Sequence, residues 1–337
     1  MRFRLEEGEP PASAVRRLVV TEVDHALEAL EKAPAASLDA TVHEARRSLK
    51  KIRAVLKLAR AGLGAPTHRA EDVFYRDLGR ELRAARDASV LVAVVDRLVA
   101  PGNRRSDRGS APLRERLARR RDALSEELAA GDTLPRVARG LREGRARVGG
   151  WPLEGDGFEL LQPGLRRAYA RARLDYLKVC RFGGGPAVFH EWRKRSKDVR
   201  YHLDLLEGLW PSVMGAAAAE LHRLTDLLGD ANDLSALLDT LAREPGLVKS
   251  LEEGDVITQK AELQRWRLWA DALLLGRRVY AETPAAYVRR LRSYWEAPPG
   301  RLDVLSSRQA GFAQFLSPGS IRRAVSYSPF ARSSRPR

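Results

Sequence analysis

The feature that most constrains this chain is an internal duplication: three elements of its first half return in its second half in the same order. Val15-Arg16-Arg17 answers to Leu165-Arg166-Arg167. His43-Glu44-x-Arg46-Arg47-x-x-Lys50-x-Ile52-Arg53 answers to His190-Glu191-x-Arg193-Lys194-x-x-Lys197-x-Val199-Arg200. Leu78, Leu82, Ala85, Asp87, Ser89 and Leu91 answer to Leu224, Leu228, Ala231, Asp233, Ser235 and Leu237. The offsets are 150, 147 and 146. Collinear matches at a nearly constant offset are what a duplicated folding unit leaves behind, so whatever the first half folds into, the second must fold into as well.

That unit is helical. Apolar residues recur every three or four positions across 14–33, 41–61, 71–100, 112–145, 160–180, 187–210, 214–244 and 258–296. Turn signals separate these stretches at Gly62-Leu63-Gly64-Ala65-Pro66, Pro101-Gly102-Asn103, Gly149-Gly150-Trp151-Pro152 and Gly183-Gly184-Gly185-Pro186, and no alternating β pattern competes. The expectation is an all-α protein of two bundles of about four helices each, related by a pseudo-two-fold axis and sharing one face. The halves would span about 10–147 and 160–297 within a domain of residues 1–300. After Pro298-Pro299-Gly300 the composition turns to Ser, Arg, Gly and Pro, and residues 301–337 read as a basic tail without order of its own, holding seven arginines and one aspartate.

Charge narrows the partner. Sixty Lys and Arg face 44 Asp and Glu, a formal net charge of +16 over 337 residues, which favours an anionic partner: nucleic acid, another phosphate polymer or a membrane surface. Five of the nine lysines fall in 43–60 and 190–200, inside the repeated motif. Cys180 is the one cysteine, so no intrachain disulfide can form and no cysteine cluster can hold zinc or iron–sulfur, and a reducing compartment, the cytoplasm, is expected. The N-terminus has acids and a proline where a signal peptide needs an apolar stretch, and no apolar run reaches the roughly 18–20 residues of a membrane span.

On a helical wheel His43, Arg46, Arg47, Lys50, Arg53 and Lys57 share an arc of about 120°, with Ala45, Leu49, Ile52, Leu56 and Ala59 opposite. His190, Arg193, Lys194, Lys197 and Arg200 repeat the arc, backed by Trp192, Val199 and Leu203. The first stripe runs for roughly 21 Å, enough for several phosphates in a row. A single such stripe is commonly a solvated helix face. Here the carboxylates Glu44 and Glu191 fall outside the arc and on the wheel leave it unneutralised, and like charges crowded twice at matching positions cost free energy unless an anion offsets them. An anion site is therefore expected. His43 and His190 could serve as helix caps, packed residues, metal ligands or phosphate donors. No further ligand stands at i+3 or i+4 to make a metal site, and no P-loop, nucleophile or Gly-rich cradle suggests catalysis, so neither cofactor nor enzymatic activity is expected.

The paired H-x-x-R-x-x-x-K-x-x-R segments resemble the hallmark of the CHAD family, the conserved-histidine α-helical domain. Leu227-Leu228-Gly229-Asp230-Ala231-Asn232-Asp233, Arg86-Asp87 and Leu275-Gly276-Arg277-Arg278-Val279-Tyr280 are similar to its other elements, and the likeness covers roughly 10–297. The resemblance implies two four-helix bundles whose inner helices line a basic groove or pore that binds inorganic polyphosphate. Carried over by position, the ligand set is the eleven stripe residues named above. Arg16, Arg17, Arg166, Arg167 and Arg173, on the helix before each motif, and Tyr201 are secondary candidates. Polyphosphate-granule or polyphosphate-metabolising proteins are further implied partners. Asp204 and Glu207 stand where the first half has Lys57 and Arg60, and Asn232 replaces the arginine of the Arg-Asp pair, which puts an ion pair there in question. The E-x-E-x-K signature of the triphosphate tunnel domain of some relatives is absent, so a stand-alone binding module is expected. Sequence-independent nucleic-acid binding is the second reading, weakened because only Tyr201 joins a basic stripe as a stacking ring.

Overall fold

The computed structural model describes residues 3–31, 38–98, 104–155, 157–248 and 250–297. The expected basic tail and the Pro101-Gly102-Asn103 turn lie outside them. The chain divides into two units, Met1–Trp295 and Glu296–Arg337, and the first holds all that follows. Among the described residues there are eleven α-helices and no strands: α1 (Pro11–Glu31), α2 (Leu38–Leu58), α3 (Arg60–Glu81), α4 (Arg83–Leu98), α5 (Arg104–Ala130), α6 (Thr133–Arg147), α7 (Gln162–Phe182), α8 (Pro186–Leu206), α9 (Pro211–Arg243), α10 (Leu251–Val279) and α11 (Pro284–Glu296).

The all-α expectation holds, but eight periodic stretches resolve into eleven helices, six in the first half and five in the second. The stretch 71–100 is cut at Leu82 (φ −89°, ψ 11°), 112–145 at Gly131-Asp132, and 258–296 just before Pro284. Apolar periodicity runs through such cuts because the segments on both sides face one core and keep phase with it. The last cut had a signal. Thr283 precedes Pro284 at the first helical position, and its hydroxyl accepts the Ala286 N–H at 3.2 Å. The turn expected around Gly62–Pro66 is a kink inside α3, where Gly64 adopts φ 74°, a conformation a β-carbon would disfavour.

The two halves build their inner pairs alike: α1 packs on α2, and α7 packs on α8. Val42, Ala45, Leu49, Ile52 and Leu56 form the buried side of α2, and Phe189, Trp192, Val199, Leu203 and Leu206 that of α8. These meet in one continuous core. Trp192, fully buried as expected of a core residue, packs against Tyr176 and Phe189. Each such large apolar side chain contributes about 1.5–3 kcal/mol by leaving water. A second core, with Leu91, Val95 and Leu117 from α4 and α5, Leu237 from α9 and Ile257 from α10, joins the halves again. The motif helices α2 and α8 are thus clamped from both directions and pack directly on each other.

Candidate anion-binding groove

Two contacts fix the α2–α8 pairing. His202, wholly buried, bonds through Nε2 to the Ala54 carbonyl at 2.9 Å, and Lys57 donates to both Asp198 oxygens at 2.8 and 2.9 Å. The two copies of the basic motif are thereby set side by side. Between them and their neighbours opens a groove of about 460 Å³. It is lined by Lys50, Arg53 and Lys57 of α2, by Arg60, His68 and Asp72 of α3, by Gly164, Arg167, Ala168 and Arg171 of α7, and by Arg193, Lys194, Arg195, Lys197, Asp198 and Tyr201 of α8. Ten lysines and arginines therefore face two aspartates.

The basic groups crowd most closely where the duplicated lysines meet. Burial, followed by the charges of Arg193, Lys50 and Arg200, pushes Lys197 down to about 6, against which Asp233 acts only weakly. Lys50 is brought to about 8 by burial and by Arg46, Arg193, Arg86 and Arg200. More than a third of Lys50's surface still meets solvent, the signature of a group on the floor of an open cleft rather than in a sealed core. Arg193 is likewise held below its ordinary value, chiefly by burial. Among the described residues no carboxylate lies within ion-pair distance of Lys50, Lys197 or Arg193, and the Arg193 Nε is buried without a partner. The Arg193 guanidinium lies beside α9 at Gly229, where a β-carbon would stand 3.7 Å from Nε.

One expectation is corrected. The basic arc is not left unneutralised along its length: Arg53 binds Asp72 at 2.9 and 3.2 Å, Lys57 binds Asp198, Arg47 pairs with Glu44, and Lys194 with Glu191 at 2.7 Å. Asp72 and Asp198 come from other helices, which no single-helix wheel can show. Glu44 and Glu191 are reached because long basic side chains bend back one turn. For Asp72, burial raises the pKa but the Arg53 hydrogen bonds and charge outweigh it and hold it down. What remains uncompensated is the lysine floor with Arg193, and a rim of Arg60, Arg167 and Arg171, whose mutual repulsion, after burial, lowers Arg167.

The other expected residues take separate places. Arg46 donates to the Gly79 carbonyl, and Arg200 bonds Thr225 at 3.3 Å and lies 4.5 Å over the Tyr201 ring. Both flank the lysines without lining the groove. The Tyr201 ring is buried, edge-on to Phe3. His43 and His190 are exposed and outside the groove lining. His190 Nδ1 donates to Asn232 Oδ1 at 2.5 Å, and His43 is lowered by burial and by Arg86, the residue Asn232 replaces. The same repeat position thus acts on each motif histidine, Arg86 of α4 through its charge on His43 and Asn232 of α9 through a hydrogen bond to His190. The ion pair questioned by the Asn232 substitution is supplied across the halves, where Arg97 lies 3.6 Å from Asp230 and 3.9 Å from Asp233.

Of the secondary candidates, Arg167 lines the groove and Arg166 is exposed outside it. Arg16 ties down the Trp151 and Leu153 carbonyls, Arg17 clasps Glu9 and the Arg4 carbonyl, and Arg173 donates to the Tyr280 carbonyl. Those three are occupied in holding loops. Arg60, His68, Arg171 and Arg195 line the groove and were missed. Arg171 had a signal, as the i+4 neighbour of Arg167 on one helix face. Arg195 had none, since it lies off the motif stripe.

The CHAD domain family model matches residues 21–242. The crystal structure of the CHAD domain from the plant Ricinus communis is similar over 89% of this chain and 98% of that one, at 20% identity and a TM-score of 0.55, a likeness of fold. No curated protein matches. With a family model that spans most of the described helices and both copies of the repeated basic motif, this chain belongs to the CHAD domain family.

Proposed function

We propose that this protein binds inorganic polyphosphate in the groove between α2 and α8, as a binding module without turnover. The observation that carries the reading is the lysine floor: Lys50, Lys197 and Arg193 crowd together with no carboxylate among the described residues within ion-pair distance, an arrangement that costs free energy and is relieved by a polyanion. Arg60, Arg167 and Arg171 extend the positive surface along the groove, suiting a chain of phosphates over a single one. Tyr201 is the one phenylalanine, tyrosine or tryptophan of the lining, and its ring is buried under Arg200, so the lining exposes none of these three rings for base stacking. That favours polyphosphate over nucleic acid. Association with polyphosphate granules in the cytoplasm, or with proteins that metabolise the polymer, is the cellular setting this reading supports.

The test is competition at fixed salt among long-chain polyphosphate, single-stranded DNA and duplex DNA, with Lys50→Glu/Lys197→Glu as the control. Polyphosphate should displace labelled polyphosphate at far lower concentration than either DNA. The double variant should lose binding while keeping its helical circular dichroism. Equal affinity for duplex DNA would overturn the groove reading.

A further inference from the structure

The largest exposed apolar side chains are not scattered. Of the eight among the described residues, Val256, Leu263, Trp266 and Leu274 lie on α10, and Leu174, Leu177 and Phe182 on α7, which packs against it. On α10 the positions follow one helical line, with exposed Ala270 filling the gap between Trp266 and Leu274. This line is opposite the side that Ile257, Ala261, Ala272 and Leu275 bury in the core. Leu274 is 71% exposed and Trp266 59%. Such a stripe on a long surface helix is the pattern of a helix–helix interface.

The charges say what would cover it. In the N-terminal half of α10 the exposed charges are Glu252, Asp255 and Glu262, whereas in the C-terminal half Arg267, Arg277 and Arg278 outnumber Asp271. A parallel copy would set acid on acid and base on base. An antiparallel copy, related by a two-fold axis near Leu263 and Trp266, sets Glu252 against the partner's Arg278 and stacks Val256 on the partner's Leu274. We propose that this protein forms a two-fold homodimer through antiparallel α10 helices, a surface separate from the basic groove.

The experiment measures molar mass by analytical ultracentrifugation of the full chain at micromolar concentration. Wild type should be a dimer. Leu263→Glu/Leu274→Glu changes two exposed positions, so the fold should persist by circular dichroism while the dimer dissociation constant rises at least tenfold. A charge exchange fixes the direction. Glu252→Arg/Asp255→Arg/Arg277→Glu/Arg278→Glu should dimerise with itself but not with wild type, because an antiparallel mixed pair sets acid on acid and base on base, whereas a parallel mixed pair would be complementary. A wild-type monomer at all concentrations overturns the proposal, and so does a dimer indifferent to Leu263→Glu/Leu274→Glu. A fourfold charge-reversed variant that pairs with wild type in preference to itself overturns the antiparallel arrangement.

Discussion

Replacing Lys197 by methionine should stabilise the free protein and weaken its hold on polyphosphate, a combination that separates a ligand-binding lysine from one that supports the fold. The side chain is half-buried beside Arg193, Lys50 and Arg200, and its amine is pushed to about 6 from an ordinary value of 10.5. At pH 7 the unfolded chain keeps the proton that the folded chain releases, so folding bears a cost of at most about 5 kcal/mol. Solvent reaching the groove and relaxation of neighbouring arginines reduce that to about 2 kcal/mol. Methionine keeps the length and apolar stem without the charge. The melting temperature should therefore rise by roughly 4 °C at pH 7. Because the folded-state pKa is depressed, the cost is largest below pH 6, where both states are charged, and fades as pH rises towards 10.5. The gain from methionine should shrink along that same course. Differential scanning calorimetry from pH 6 to 9 reads the stability, and titration with polyphosphate reads the binding, expected to weaken at least tenfold. A fall in melting temperature would refute the reasoning, since it would mean that Lys197 holds the free structure together.

Polyphosphate should return the proton to Lys197, so binding at pH 7.5 should take up about one proton and tighten about tenfold on going to pH 6. Calorimetric titration in buffers of different ionisation enthalpy measures this, and a heat independent of buffer would exclude it. Asp198→Asn removes one of the two acids of the groove and releases Lys57. Polyphosphate affinity should rise about threefold or more while stability falls by about 0.5–1 kcal/mol, and weaker binding would count against the assignment of the groove. Gly164→Ala places a β-carbon 2.0 Å from the Leu58 carbonyl oxygen, where α7 begins against the end of α2. With backbone on the other side the clash has no easy relief, and a loss of more than about 2 kcal/mol in urea denaturation is expected. A neutral result would mean that α7 sits elsewhere.

Much of this was open to a reader of the residues alone. The fold class follows from a local regularity, an apolar residue every three or four positions, and the duplication follows from residue identity at a fixed offset; neither needs a neighbour in space. The same holds for Lys50 and Lys197, whose place on a basic arc is a property of one helix. Helix boundaries were less legible, because α3 and α4, or α10 and α11, share a core-facing phase across the break. The compensation of the arc was not legible at all. Whether Arg53 or Lys57 is free depends on Asp72 and Asp198, brought from other helices. Arg16, Arg17 and Arg173 look like their basic neighbours in sequence, yet carbonyls and carboxylates of distant segments occupy them. Sequence by itself determined that two cationic helices of matching pattern exist. Only the tertiary structure decided that they lie side by side, and that the basic groups left without an ion pair gather at Lys50, Lys197 and Arg193, because ion pairing acts through space over a few ångströms and takes no account of distance along the chain.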